Sequence, residues 1–210
     1  MSKIDDIFQA VGDGKVKIIT ELVESALAEG VSPLQILNEG MVDAMAVVGE
    51  KFQKSEIFVP EMLIAAKTMK KGVEIIKPKL SSADIASKGK CIIGTVYGDL
   101  HDIGKNLVAL MIESAGFEVI DLGVDVSVQA FIDAIKANPD VNVVGLSCLL
   151  TTTMPALKET ALAIKSSGMT GFKLIVGGAP ITEEFASQIG ADGYSADAAG
   201  AAELAKKLVA

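Results

Sequence analysis

Up to about residue 88 the apolar positions recur every three or four residues; beyond it they gather into short runs separated by helical stretches. In the first half, Ile18, Ile19, Leu22, Val23, Ala26 and Leu27 share one helical face, with Glu21, Glu24 and Glu29 on the other. Gly30 stops that helix. Ser32-Pro33 is a start signal: a hydroxyl to cap free amides, then a ring whose fixed φ suits the first helical position. The helix it opens runs through Ile36, Leu37, Met41, Met45, Val48 and Phe52. Pro60 opens another through Met62, Leu63, Ala66, Met69, Val73 and Ile76, which Pro78 helps to end. With a short amphipathic segment at 4–11, the pattern predicts four helices joined by short turns, a small bundle over residues 1–88.

Residues 81–89, SSADIASKG, are small and polar and read as a linker. From 89 to 210, apolar runs bounded by glycine fall at 91–96, 118–122, 141–146 and 173–176, with a weaker one at 193–194. Helical stretches at 104–115, 127–137, 155–166, 182–189 and 198–209 alternate with them. Strand then helix, five times over, predicts an α/β domain: a parallel sheet with helices on both faces, flavodoxin-like, with strand order 2-1-3-4-5. Ligands of such sheets bind at the carboxyl ends of the strands. The loops to watch are therefore 97–103, 147–153, 177–180 and 195–197.

Composition narrows the choice of chemistry. Half of the 210 residues are apolar but only 4% aromatic, so the core is built from Ala, Val, Ile, Leu and Met. Nineteen basic against 27 acidic residues give a net charge of −8, a surface that repels a phosphate backbone, so nucleic acid is not an expected partner. No basic cluster suggests a membrane surface, no long apolar run suggests a membrane span, and the N-terminus lacks the pattern of a signal peptide; a cytoplasmic protein is expected. Cys91 and Cys148 sit in apolar runs and read as inert packing residues.

The first loop, GDLHDIGKN, holds His101, the one histidine in the chain. A lone histidine is often no more than a surface residue, but this one follows the first strand directly. Asp99, two residues before it, is placed to accept from one ring nitrogen and leave the other for a metal or a proton. Gly98 and Gly104 flank the segment and leave room for a bulky ligand. A zinc site needs three or four protein ligands, which one His and two buried Cys do not supply. No Gly-x-Ser-x-Gly elbow is present, the Gly12–Lys15 segment lacks P-loop spacing, and Ser147 stands where a phosphoacceptor Asp would end strand three. A single protein ligand suits a metal whose other ligands come from a macrocycle. In the third loop, SCLLTTTMP, Thr151 to Thr153 could equally be helix caps, and Gly177-Gly178 could be only a tight turn.

Taken together, Asp99-x-His101-x-x-Gly104, Ser147-x-Leu149 and Gly177-Gly178 resemble the three-part signature of base-off, His-on cobalamin-binding domains. The stretch GTVYGDLHDIGKNLV and the later DLGVDV resemble the cobalamin module of methionine synthase. They resemble still more the corrinoid proteins of anaerobic methyltransferase systems, which pair a helical bundle with a flavodoxin-like domain. The resemblance covers essentially the whole chain.

It implies cobalamin or a related corrinoid (methylcobalamin or hydroxocobalamin) as cofactor. The cofactor's cobalt would take His101 as lower axial ligand, with Asp99 as the histidine's hydrogen-bond partner and Thr153 extending the relay. Gly98, Asp102, Ile103 and Gly104 would lie against the corrin. The displaced nucleotide tail would enter a groove lined by Ser147, Leu149, Thr151, Gly177 and Gly178, where any side chain at the two glycines would fill the space. Tyr194, Ala196 and Asp197 would stand near its end. The EIFVP segment resembles the start of a cap helix shielding the methyl-bearing face, with Phe58, Met62 and Leu63 as candidates there.

In function the resemblance implies a methyl carrier with no catalytic residue of its own. Its expected partners are a substrate:corrinoid methyltransferase, a second methyltransferase acting on tetrahydrofolate or a thiol, and a reductive activation protein. Two other uses of such a domain are a subunit of an adenosylcobalamin-dependent mutase and a cobalamin-sensing regulator. The first would need a barrel domain and the second a basic DNA-binding element, and the chain shows neither. Methanol, a methylamine, a methoxylated aromatic and a quaternary amine all stay open as methyl donor.

Overall fold

A computed structural model describes residues 2–80 and 88–209 of the chain. The chain forms two compact units, Met1–Ala86 and Ser87–Ala210. The expected linker at 81–89 falls outside the described residues except for Lys88 and Gly89.

The first unit is helical, as its three-to-four period predicts. Helix α1 (Lys3–Gly12) opens with a reciprocal cap: Asp5 N–H donates to Ser2 Oγ (3.1 Å) and Ser2 N–H to Asp5 Oδ2 (2.8 Å). Helix α2 (Ile19–Ala28) follows and buries Ile19, Val23 and Ala26. At Ser32 the expected start is found, with Gln35 N–H donating to Ser32 Oγ (3.0 Å) and Pro33 at the first position.

From there α3 (Pro33–Gln35), a π-helical segment (Ile36–Val42) and α4 (Asp43–Gln53) follow without a break. Within the π segment the bonds reach one residue further back, as in Asp43 N–H to Asn38 O. The extra residue per turn swings Ile36, Gly40, Met41 and Val42 inward together. Helix α5 (Val59–Ile76) begins one residue before Pro60, because Glu61 Oε2 reaches back to accept from Phe58 N–H at 2.8 Å.

Helices α1, α2, α4 and α5 bury Ile7, Val11, Ile19, Val23, Met45, Val48, Met62, Met69 and Ile76. Met62 has no exposed surface and cannot present itself to a ligand, which removes it from the expected cap set. Phe58 and Leu63 remain exposed. Among the described residues, no helix is long and apolar enough to cross a membrane.

The second unit is a five-stranded, all-parallel sheet in the order β2-β1-β3-β4-β5. Its strands are β1 (Lys90–Thr95), β2 (Glu118–Asp121), β3 (Val143–Ser147), β4 (Lys173–Gly177) and β5 (Gly193–Ser195). The alternating helices are α6 (Ile103–Ser114), α7 (Val128–Ala137), α8 (Met154–Ser166), α9 (Glu183–Gln188) and α10 (Ala198–Val209). Helices α6 and α10 pack together, and so do α7 and α8. Phe131, Ile135, Leu157, Ala161, Ile164, Ala186 and Ile189 from α7 to α9 join Ile92, Val144, Leu146, Leu174 and Val176 of the sheet in one core. The central strands β1 and β3 are buried almost throughout, which is why they read as unbroken apolar runs.

Cys91 and Cys148 are buried and unpaired by any disulfide. Burial pushes the Cys91 thiol up to about 12 and the Cys148 thiol up to about 11. At pH 8 only about one Cys148 in 10³ is then thiolate, and fewer still for Cys91. We expect neither thiol to react with a disulfide reagent at pH 8 until denaturant exposes it, after which both react within minutes. Fast modification of the native protein would contradict this.

Candidate functional site

Strand β1 carries the chain to the carboxyl edge of the sheet, where register aligns Thr95, Ser147, Gly177 and Ser195 in one row across β1, β3, β4 and β5. Beyond Thr95 the chain turns at Gly98, whose φ of +79° is in the left-handed region that glycine adopts without strain. It then delivers Asp99 into the protein and His101 outward. The Asp99 side chain has no exposed surface, while that of His101 is half exposed.

Five donors converge on the Asp99 carboxylate. Oδ1 accepts from His101 N–H (3.1 Å) and lies 2.6 Å from His101 Nδ1. Oδ2 accepts from Leu149 N–H (2.7 Å), from Thr153 Oγ1 (2.7 Å) and, at 3.4 Å, from Leu150 N–H. Burial pushes this carboxyl group up, but the Leu149 amide, the Thr153 hydroxyl and the ring and amide of His101 outweigh it and hold it well below the usual carboxylate range. An ionised Asp99 only accepts, so the proton between the two side chains belongs to His101 Nδ1. In the neutral ring this tautomer leaves the lone pair on Nε2, and the ring is half exposed.

The expected residues of the His loop fall where a flat ligand could approach. Asp102 is exposed and takes a bond from Asn106 Nδ2 (3.1 Å). Ile103, the first residue of α6, is 77% exposed, and Gly104 has open space where a side chain would stand. From β3, Ser147 is part-buried in the edge row, Leu149 is exposed, and Thr151 is exposed in a short 3₁₀ turn (Thr151–Thr153). That turn settles the alternative left open for the threonines: no side chain caps α8, and the Thr153 hydroxyl is instead buried between Asp99 and the Leu150 carbonyl (2.9 Å).

At the far side Tyr194 packs partly against the core, and Ala196 is exposed. Asp197 is committed locally: its Oδ1 accepts from Gly200 N–H (2.7 Å), which caps α10.

For the two glycines the structure adds a reason within the chain itself. A Cβ on Gly178 would lie 1.8 Å from the Cys148 carbonyl oxygen, and one on Gly177 would lie 3.1 Å from the Ser195 carbonyl oxygen. At Gly178 the chain's own backbone already excludes a side chain, and at Gly177 it leaves a Cβ little room. Gly178 also has a φ of +127°. We expect Gly178→Ala to cost about 3 kcal/mol or more, since neither backbone can yield and the conformation is unfavourable for any Cβ. Chemical denaturation of the apoprotein measures it; a loss near zero would mean that the two loops part readily.

Several residues of the site have weak sequence signals. Thr95, fully buried, donates from Oγ1 to the His101 carbonyl (2.9 Å); its one cue is a hydroxyl closing an apolar strand. Asp125 Oδ1 accepts from Gly98 N–H (2.7 Å), and its own amide donates to the Asp99 carbonyl (3.0 Å). Tyr97, Leu100 and Leu150 are 64%, 72% and 41% exposed. With Ile103 and Leu149 they leave apolar side chains standing around a polar histidine, an arrangement that suits a large, flat, partly apolar ligand.

The family described as B12 binding domain matches residues 89–203, and a second B12 binding domain family matches residues 3–77. The chain belongs to the B12-binding family.

Relatives make the same point over most or all of the chain. A corrinoid protein of Desulfitobacterium hafniense is 38% identical over 213 aligned positions, 100% of this chain and 98% of the relative. Trimethylamine corrinoid protein 1 of Methanosarcina mazei is 38% identical over 90% of this chain and 88% of its own. Among solved structures, a chain of the methanol:cobalamin methyltransferase complex from Methanosarcina barkeri has a TM-score of 0.86 to this one and 29% identity, covering 99% of this chain and 79% of that one. The cofactor of this chain is a corrinoid.

The residues present fit that group. Among the described residues no cluster of three or more His, Cys, Asp or Glu gathers to hold a metal ion by itself. His101, half exposed and held through Nδ1, would offer its Nε2 to a metal whose other ligands a macrocycle supplies. Around it, the open Gly104 and the exposed Leu100, Ile103 and Leu149 leave room for the ring.

Proposed function

We propose that this chain is a methyl carrier, holding its corrinoid through His101 and moving between a methyltransferase that loads it and a second that unloads it. The observation that carries this reading is the buried Asp99 carboxylate, tied to His101 Nδ1 at 2.6 Å and to Thr153 Oγ1 at 2.7 Å beneath the carboxyl ends of β1 and β3. When bound, the corrinoid supplies a cobalt centre that accepts a methyl group and gives it up again.

The chain's residues supply the support. His101 Nε2 would ligate the cobalt, and Asp99 would fix the ring's tautomer and orientation. Thr153 and the Leu149 amide hold Asp99 ionised, so that it would stay an acceptor for His101 Nδ1. Ser147, Leu149, Thr151, Tyr194 and Ala196 border the space proposed for the nucleotide tail.

The partners we propose are a substrate:corrinoid methyltransferase, a second methyltransferase with tetrahydrofolate or a thiol as acceptor, and a reductive activation protein. The names of the relatives direct the first trials to methylamine and methanol methyltransferases. The test is reconstitution with methylcobalamin, removal of excess, and assay with candidate pairs. One corrinoid bound per chain, with methyl transfer that needs this chain and both enzymes, is the expected result. A protein that binds corrinoid but supports only adenosylcobalamin-dependent rearrangement with a larger subunit would contradict it.

A further inference from the structure

We infer that Asp125, in the loop after β2, is a positioning residue that sets the axial histidine from outside the His loop; the inference rests on His101 being the cobalt ligand. Two bonds join Asp125 to the segment that carries the relay. Its carboxylate takes the Gly98 amide at 2.7 Å and its amide gives to the Asp99 carbonyl at 3.0 Å. One residue therefore grips the chain on both sides of the Asp99 Cα, and the Asp99 side chain in turn fixes the His101 ring.

The neighbouring bonds extend this clamp. Thr95 N–H donates to the Gly123 carbonyl (3.0 Å), Val126 N–H to the Thr95 carbonyl (3.0 Å), and Val96 and Val126 form an isolated parallel bridge. The β2–α7 loop thus continues the pairing of β1 past the end of β2 (Asp121) and leads it to the relay.

The backbone at Asp125 is unusual for what it does. Its φ is +55°, and apart from Ser55 it is the one non-glycine residue with positive φ among those described. A left-handed conformation is strained for an ordinary residue and is borne best by Gly, Asn and Asp. Glycine would relieve that strain and also release the Gly98 amide. The residue found is one that tolerates the conformation and carries an acceptor as well. Its carboxylate is exposed, so the fold gains little buried contact from it. Its bonds lead to Gly98 and Asp99.

Three substitutions separate the roles. Asp125→Asn keeps both the left-handed preference and an acceptor oxygen. Asp125→Gly keeps the backbone conformation and loses the acceptor. Asp125→Ala loses both. Each apoprotein is melted, then titrated with methylcobalamin beside wild type and His101→Ala, and the visible spectrum of the bound cofactor reports whether histidine is the lower ligand.

We expect Asp125→Gly to melt close to wild type, yet to bind about 10-fold more weakly and show a mixture of histidine-bound and histidine-free spectra. Asp125→Asn should restore the wild-type spectrum. Asp125→Gly with wild-type affinity and an unmixed histidine-bound spectrum would overturn the inference, whatever becomes of Asp125→Ala. If wild type and His101→Ala gave the same spectrum, the ligation reading itself would fall, and this inference with it.

Discussion

His101→Ala gives a protein that folds as wild type does but binds corrinoid at least about 10-fold more weakly and without its lower axial ligand. The fold should tolerate the change because the ring is half exposed and fills no core volume. Surface substitutions of this kind stay within about 0.5 kcal/mol. What disappears is the one imidazole in the chain, and no second side chain can replace it. Asp99 keeps the Leu149 amide and the Thr153 hydroxyl, so the buried carboxylate is not stranded. Bound methylcobalamin should accordingly turn from the red of a base-ligated cobalt to the yellow of an unligated one. A variant that binds and colours as wild type does would remove His101 from the metal.

Asp99→Asn should damage both fold and ligation, and to a greater extent. The carboxylate is surrounded by donors: the amides of His101, Leu149 and Leu150, the Thr153 hydroxyl and His101 Nδ1. An amide placed there must turn its NH₂ toward one group of them. Facing Leu149 and Thr153, it sets donor against donor in a site with no access to water. Facing His101, it can donate to Nδ1, which moves the ring proton to Nε2 and removes the lone pair the metal needs. We expect a loss of about 3 kcal/mol in the apoprotein at pH 7, of the order found for a buried charged hydrogen-bond network left unmatched.

The sign of the pH dependence follows from the direction of the Asp99 shift. Its folded-state value is depressed, so its contribution is fully present above the ordinary carboxylate value of about 4 and is lost as pH falls through the folded value. The stability difference between wild type and Asp99→Asn should therefore be constant from pH 7 to about pH 5 and narrow below about pH 4. Urea titrations at pH 7 and pH 3.5 measure it; a difference that widened in acid would reverse the assignment.

Much of this was legible along the chain because its signals are local. Glycine bounds most of the apolar runs, so the five strands and the order of the sheet follow from spacing and the parallel-sheet rule. The His loop stood out because one histidine follows the first strand with an aspartate two residues before it. The features that escaped notice are those in which distant backbone meets backbone. Nothing near Gly178 in sequence reveals that the Cys148 carbonyl occupies the place of its Cβ. Thr153 obeys the local pattern of a helix cap, but a buried carboxylate 54 residues away in sequence takes its hydroxyl. Asp125 reads as an ordinary turn residue until its amide and carboxylate are seen on either side of Asp99. The π-helical segment is hidden for another reason: an extra residue in one turn leaves the apolar positions at spacings that an α-helix also allows.

The central claim is that the lower ligand of the cobalt is a nitrogen of this chain. Its most direct test is the electron paramagnetic resonance spectrum of the bound cofactor in its paramagnetic cobalt(II) form, recorded with protein grown on heavy nitrogen and with natural-abundance corrinoid. An axial nitrogen from His101 splits each resolved cobalt line into a doublet in the labelled protein and a triplet in the unlabelled one. A triplet in both would place the cofactor's own base on the metal and contradict the account.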